Sequence, residues 1–147
     1  MNQHSVDILL VEDNKDEAEL VIRELKKHNM ANNLVHVNDG EQAMDFIYGT
    51  GSYSDRDKTV TPKLVLLDIH MPRVNGIEVL QKIKSEEFSK IIPVVMLTSS
   101  KEDPDIKKCY ELGANSYIVK PVNFESFAVA IKSLGFYWLL LNQPPIR

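Results

Sequence analysis

Apolar residues follow two alternating rhythms along this chain. Short runs rich in branched side chains occur at 6–11, 34–37, 63–67, 92–97 and 116–119, and longer stretches with helical spacing lie between them. Runs of this length predict strands, and their regular alternation with helices predicts a parallel sheet joined by crossover helices. The helix starts carry side chains that can cap exposed N–H groups. Asn14, Asp39 and Asn75 are each followed three residues later by Glu17, Gln42 and Glu78, the spacing of a capping box. In the first helix Ala18, Val21, Ile22 and Leu25 fall on one stripe. The fourth helix should open at Asp103 before Pro104 and stop at Gly113, the residue best suited to a left-handed C-terminal turn. The fifth should begin at Asn123 and turn Phe124, Phe127, Ala128, Ile131 and Leu134 inward. The one long connection, 49–62, reads as a tolerated surface insertion, although its length approaches that of functional loops.

With 147 residues, the chain is expected to form one domain over 1–147, with 135–147 as an extension. A hydrophobic fraction of 44% is enough for a core and excludes disordered or fibrous classes. The 21 acidic residues against 17 basic leave a formal charge of −4, so no basic footprint for nucleic acid is present and DNA is not an expected partner. No apolar run reaches the ~18 residues of a membrane span, and the opening residues lack a secretory pattern, so no membrane contact and a cytoplasmic location are expected. The single Cys109 fits a reducing compartment and reads as a small core residue.

In an open parallel sheet, ligands bind beyond the carboxyl ends of the strands. Those ends are Glu12-Asp13, Asp68, Thr98 and Lys120, so three carboxylates, a hydroxyl and an ammonium should meet at one rim. Carboxylates crowded together need a cation, and Mg2+, which keeps waters and favours phosphate, suits an all-oxygen set. Lys120 and Thr98 could then contact phosphoryl oxygens, and Asp68 could be the nucleophile that carries the phosphoryl group. Plainer alternatives stand beside each assignment: Glu12 and Asp13 as helix-capping or water-facing acids, Asp68 as a turn residue, Thr98 as loop polarity, Lys120 as a snorkelling lysine. Their joint placement at strand ends favours the site.

Residues 8–13 (ILLVED), 66–72 (LLDIHMP) with Asn75-Gly76, Leu97-Thr98-Ser99, Gly113-Ala114 and 117–121 (YIVKP) together resemble the receiver domain of two-component response regulators. The resemblance implies a flavodoxin-like α/β fold with strand order 2-1-3-4-5 and Asp68 as phosphoacceptor. It further implies Mg2+ held by Asp13, Asp68 and the His70 backbone carbonyl, with Glu12 in the outer shell. Lys120 would contact the phosphoryl group and precede a cis proline, Thr98 and Tyr117 would form the switch, and His70 and Ser100 would modulate hydrolysis. The donor would be a histidine of a separate sensor kinase. The chain would catalyse at most its own phosphotransfer and autodephosphorylation, and is not expected to be an enzyme in the ordinary sense.

No segment remains for an output domain after the fifth helix, so the signal is expected to leave through association with a downstream protein. Residues 135–141 are apolar all round, which predicts an extended C-terminal helix and a homodimer anchored by Phe136, Trp138 and Leu139; packing over the chain's own core is the alternative. This tail and the long loop resemble the stand-alone receivers that serve cyanobacterial phytochrome kinases. Two rivals remain. A haloacid-dehalogenase-type phosphohydrolase would place a second Asp two residues after the nucleophile, where this chain has His70. A pseudo-receiver that is never phosphorylated is disfavoured because every required position is filled, although the chemistry of the residues alone does not separate it. A nucleotide-binding module is disfavoured because the loop Glu12-Asp13-Asn14 has no glycine to let backbone approach phosphate.

Overall fold

The computed structural model describes residues 6–29 and 33–135. In chain order these form β1 (Ile8–Val11), α1 (Lys15–Lys27), β2 (Leu34–Val37), α2 (Gly40–Tyr48), a short 3-10 turn (Gly51–Tyr53), β3 (Leu64–Asp68), α3 (Gly76–Ser85), β4 (Val94–Thr98), α4 (Asp105–Glu111), β5 (Ser116–Val119) and α5 (Phe124–Ser133). The strands make one parallel sheet in the order β2-β1-β3-β4-β5. This is the expected flavodoxin-like topology, and the sheet direction reverses its winding between β1 and β3.

The three central strands are buried along their whole length, which is why they read as continuous apolar runs rather than alternating ones. Successive side chains enter opposite cores. Leu9, Val11, Val65, Leu67 and Met96 pack with Phe46 and Ile47 of α2, Leu80 and Ile83 of α3, and Cys109 of α4. Ile8, Leu10, Leu66, Val95 and Leu97 pack with Val21 and Leu25 of α1 and Phe127 and Ile131 of α5. Cys109 is the small core residue expected.

Strands β3 and β4 run through Asp68 and Thr98, one residue beyond the apolar runs, because both polar residues still take part in the ladder: Asp68 aligns with Leu97 and Thr98 with Val119. At the other end β4 starts at Val94, since Pro93 has no N–H to donate; its carbonyl accepts from Val65 instead.

The capping pattern is only partly as the spacing predicts. Asn75 and Glu78 close a complete box. Asn14 accepts from Glu17 N, but the Glu17 carboxylate turns away to Lys120, and Glu12 Oε2 takes the Asn14 N–H. Gln42 N likewise donates to Asp39 Oδ1, but the Gln42 side-chain oxygen accepts from Asn38 N rather than from Asp39 N. A second full box joins Asn123 to Ser126, with serine where glutamate is usual. Helix α4 begins at Asp105 rather than at Asp103, although Asp103 Oδ1 still accepts the Asp105 N–H at 2.9 Å.

The loop 49–62 is no loose insertion. Arg56 lies 3.9 Å above the Phe46 ring and donates to the carbonyls of Phe46 (2.8 Å) and Val60 (2.9 Å), while Tyr53 meets Phe46 edge to face. At the start of α3, a side chain at Gly76 would collide with the Asp68 carbonyl oxygen, so helix and strand end meet backbone to backbone, and Gly76 N donates to Ile69 O at 2.9 Å. Helix α5 is followed by Gly135 in the left-handed region, φ +77°. The expected dimer residues Phe136, Trp138 and Leu139, and with them the helix extension, lie outside the described residues.

Candidate functional site

Four strand ends bring the sequence-predicted residues together. β1 delivers Glu12 and Asp13, β3 ends on Asp68, β4 on Thr98, and β5 leads into Lys120. One carboxylate oxygen from each of Glu12, Asp13 and Asp68 lies within 4.8 Å of the others. Lys120 Nζ stands 3.0 Å from Glu12 Oε1, 3.2 Å from Asp68 Oδ2 and 2.7 Å from Glu17 Oε1. The Lys120–Pro121 peptide is cis, as the resemblance implies.

Burial sets the electrostatics. The side chain of Glu12 is 1% exposed and that of Asp68 6%, whereas Asp13 faces solvent at the mouth. Removal from water pushes the Glu12 carboxyl up to about 7; the Asp68 charge adds to this, and Lys120 and the Asn14 N–H only partly oppose it. Asp68 is raised for the same first reason, burial, with Lys120 opposing. Lys120 is pulled the other way: burial would lower it, but Glu17, Glu12 and Asp68 together hold it above the ordinary lysine range. Three carboxylates thus share one ammonium, a surplus of negative charge.

That surplus suits a hard divalent cation. An octahedral ion with ~2.1 Å bonds places its ligands up to ~4.2 Å apart, close to the spread of these oxygens. The set contains only oxygen. Glu12 Oε1 is buried without an aligned hydrogen bond, although the ammonium is nearby. The residues present fit Mg2+ or Mn2+.

Thr98 is buried, and its hydroxyl donates away from the acids, to Asp103 Oδ2 at 3.0 Å and Ser100 O at 3.1 Å. His70 reaches the same Asp103 oxygen through Nε2 at 2.8 Å, while its own N–H lies 3.4 Å from Asp68 Oδ1. Burial alone would raise Asp103, but hydrogen bonds from Asp105 N–H, His70 and Thr98 outweigh it and hold the carboxyl below its usual value. Tyr117 on β5 is half-buried, edge to face with Tyr110 at 6.2 Å. A cavity of about 250 Å³ opens beside Lys120, lined by Glu17, Leu20, Val21, Pro121 and Val122.

Two participants escaped the sequence reading. Local spacing reads Glu17 as a cap partner and Asp103 as a helix start, and nothing in it distinguishes those roles from a contact made across the fold. Among the described residues no helix is long and apolar enough to cross a membrane.

The response regulator receiver domain model matches residues 8–132. Among curated proteins, the probable methanogenesis regulatory protein FilR2 of Methanothrix harundinacea is 37% identical over 94% of this chain and 86% of its own length. Response regulator Rcp1 of Synechocystis is also 37% identical, over 90% of this chain and 88% of its own. Among solved structures, the bacteriophytochrome response regulator AtBRR is 47% identical, covers 95% of this chain and 99% of its own, and superposes with a TM-score of 0.85. The Mn2+-bound form of Rcp1 (34% identity, 97% and 99% coverage, TM-score 0.72) and the phosphorylated cyanobacterial phytochrome response regulator RcpA (34%, 96% and 97%, 0.73) are similar as well.

Proposed function

We propose that this chain, which belongs to the response regulator receiver domain family, takes a phosphoryl group from a histidine of a sensor kinase onto Asp68 and signals by changing its protein associations. The observation that carries this reading is the single ammonium of Lys120 held between two buried acids, Glu12 and Asp68, at the carboxyl edge of the sheet. Such a cluster has an excess of negative charge until a cation joins it. Mg2+ held by Asp13 and Asp68 with the His70 carbonyl, and with Glu12 behind, would neutralise charge on the incoming group.

In the transfer, an Asp68 oxygen attacks phosphorus as the phosphorus–nitrogen bond of the donor breaks, and the imidazole leaves with its electron pair and takes up a proton. Lys120 exchanges a carboxylate contact for a phosphoryl oxygen. Its ammonium, held by Glu12 and Glu17, would fix where that oxygen sits. Thr98 and Tyr117 would read the new charge, Thr98 by turning its hydroxyl toward it and Tyr117 by moving inward. His70 and Ser100, two residues beyond Asp68 and Thr98 respectively, would modulate hydrolysis of the acyl phosphate.

Similarity to AtBRR, Rcp1 and RcpA supports a phytochrome kinase as the donor. The location proposed for this exchange is the cytoplasm. The whole chain would act as one domain, with Phe136, Trp138 and Leu139 forming a homodimer contact; sedimentation velocity of the Trp138→Ala variant would show a shift to monomer.

The test is incubation with acetyl phosphate and Mg2+. One acid-stable, base-labile phosphoryl group per chain, absent in Asp68→Asn, is expected. Repeated turnover of phosphomonoesters would instead mark a phosphohydrolase, and no adduct from either acetyl phosphate or kinase would mark an unphosphorylated interaction module.

A further inference from the structure

The Thr98 hydroxyl has one proton, and in this structure its acceptors are Asp103 Oδ2 and Ser100 O, both in the loop between β4 and α4. Asp103 is itself held from three directions. Its Oδ1 accepts the Asp105 N–H at 2.9 Å, and its Oδ2 accepts from His70 Nε2 at 2.8 Å as well as from Thr98. His70 arrives from the loop after β3, two residues beyond Asp68, so this carboxylate ties the β3–α3 loop to the β4–α4 loop across the mouth of the pocket. Only a small part of the Asp103 side chain is exposed, and its bond to the buried Thr98 is the better shielded one, whereas the His70 ring lies largely in solvent.

We propose that Asp103 is a positioning residue that latches the Thr98 hydroxyl away from Asp68 in the unphosphorylated protein, with His70 holding the latch in place. The inference rests on the receiver chemistry proposed above. Thr98 cannot donate to a phosphoryl oxygen and to Asp103 with the same proton, so occupation of Asp68 must break the Thr98–Asp103 bond. The carboxylate cannot follow the hydroxyl, because Asp105 N–H and His70 anchor both of its oxygens. The loop before α4 thereby loses its Asp103 tie to Thr98 at the moment the site fills, and the resting state is favoured by the strength of one charge-assisted hydrogen bond.

The test uses beryllofluoride, which mounts a phosphoryl mimic on an Asp carboxylate, titrated with Mg2+ into the full chain and followed by fluorine NMR. Asp103→Ser retains a hydroxyl able to cap Asp105 N–H but too short to reach Thr98. It should bind beryllofluoride about tenfold more tightly, the worth of one such hydrogen bond. Loss of a nearby negative charge would also help an anion, so the same substitution is made beside Thr98→Ala. In that background the gain should shrink to about twofold, because no hydroxyl is left to release. Asp105→Asn removes a charge 3.7 Å from His70 Nε2 without touching Thr98, and should change affinity little. Should Asp103→Ser fail to fold, the isosteric Asp103→Asn carries a smaller gain of the same sign. Equal gains in both Thr98 backgrounds, or no gain at all, overturn the latch while leaving the receiver chemistry intact. Absence of any Mg2+-dependent complex in the unaltered protein overturns the receiver reading, and the latch with it.

Discussion

Glu17 Oε1 stands 2.7 Å from Lys120 Nζ, closer than the 3.2 Å between the same nitrogen and Asp68 Oδ2. A helix residue therefore competes with the proposed phosphoacceptor, Asp68, for the Lys120 ammonium. Glu17 is about half exposed, so solvent screening keeps its pull modest. Glu17→Gln should release Lys120 toward Asp68 and raise beryllofluoride affinity by about threefold, measured by the same titration. An unchanged or weaker affinity would show that Glu17 holds the lysine in its productive place instead.

Asp68→Asn should abolish the acid-stable adduct and, without metal, make the fold more resistant to urea. Burial raises both acids and the Asp68 charge raises Glu12 further, so removing the Asp68 charge lets Glu12 ionise against Lys120. The gain, read from the urea midpoint, should be about 1 kcal/mol. A less stable variant would mean that the Asp68–Lys120 pair outweighs the repulsion.

The Glu12 carboxyl also makes stability depend on pH. Its value is near 4.5 unfolded and about 7 folded, so between them the folded chain keeps a proton that the unfolded chain has released. Metal-free stability should be highest below about 4.5 with respect to this group and fall as pH rises through about 7. Saturating Mg2+ displaces that proton and should flatten the slope, and Mg2+ affinity should increase across the same window. Melting curves from pH 5 to 8 with and without Mg2+ check both statements; a metal-free slope of opposite sign would refute them.

Arg56 ties the long loop to α2 by two hydrogen bonds and by stacking on Phe46. Arg56→Ala should cost about 1–3 kcal/mol, leaving two carbonyls without their donor, and should speed amide exchange around 51–60. Arg56→Lys should recover little, because a lysine cannot place two donors and a flat face at once. Full recovery by lysine would reduce the contact to simple charge.

The sheet and its helices were legible because both cores are built from continuous runs: Leu66, Val95 and their neighbours are apolar whichever face they enter. The pocket was legible for a related reason, since a polar residue directly after a buried run has one place to go, the carboxyl edge. Glu17 and Asp103 were not legible. Each sits at a helix start where an acid is expected for local reasons, and its actual partner, Lys120 or Thr98, is chosen by how the helices settle on the sheet. Arg56 was hidden likewise: in a loop rich in turn residues, an arginine reads as solvated until Phe46 lies beneath it.

The missing methyl group at Gly76 bears on how the molecule can move. Where α3 presses its bare backbone on the Asp68 carbonyl there is no compressible side chain between them. On the proposed reading that flank would serve as a rigid abutment, and a displacement at the strand tip would be taken up on the other side, in the loop preceding α4.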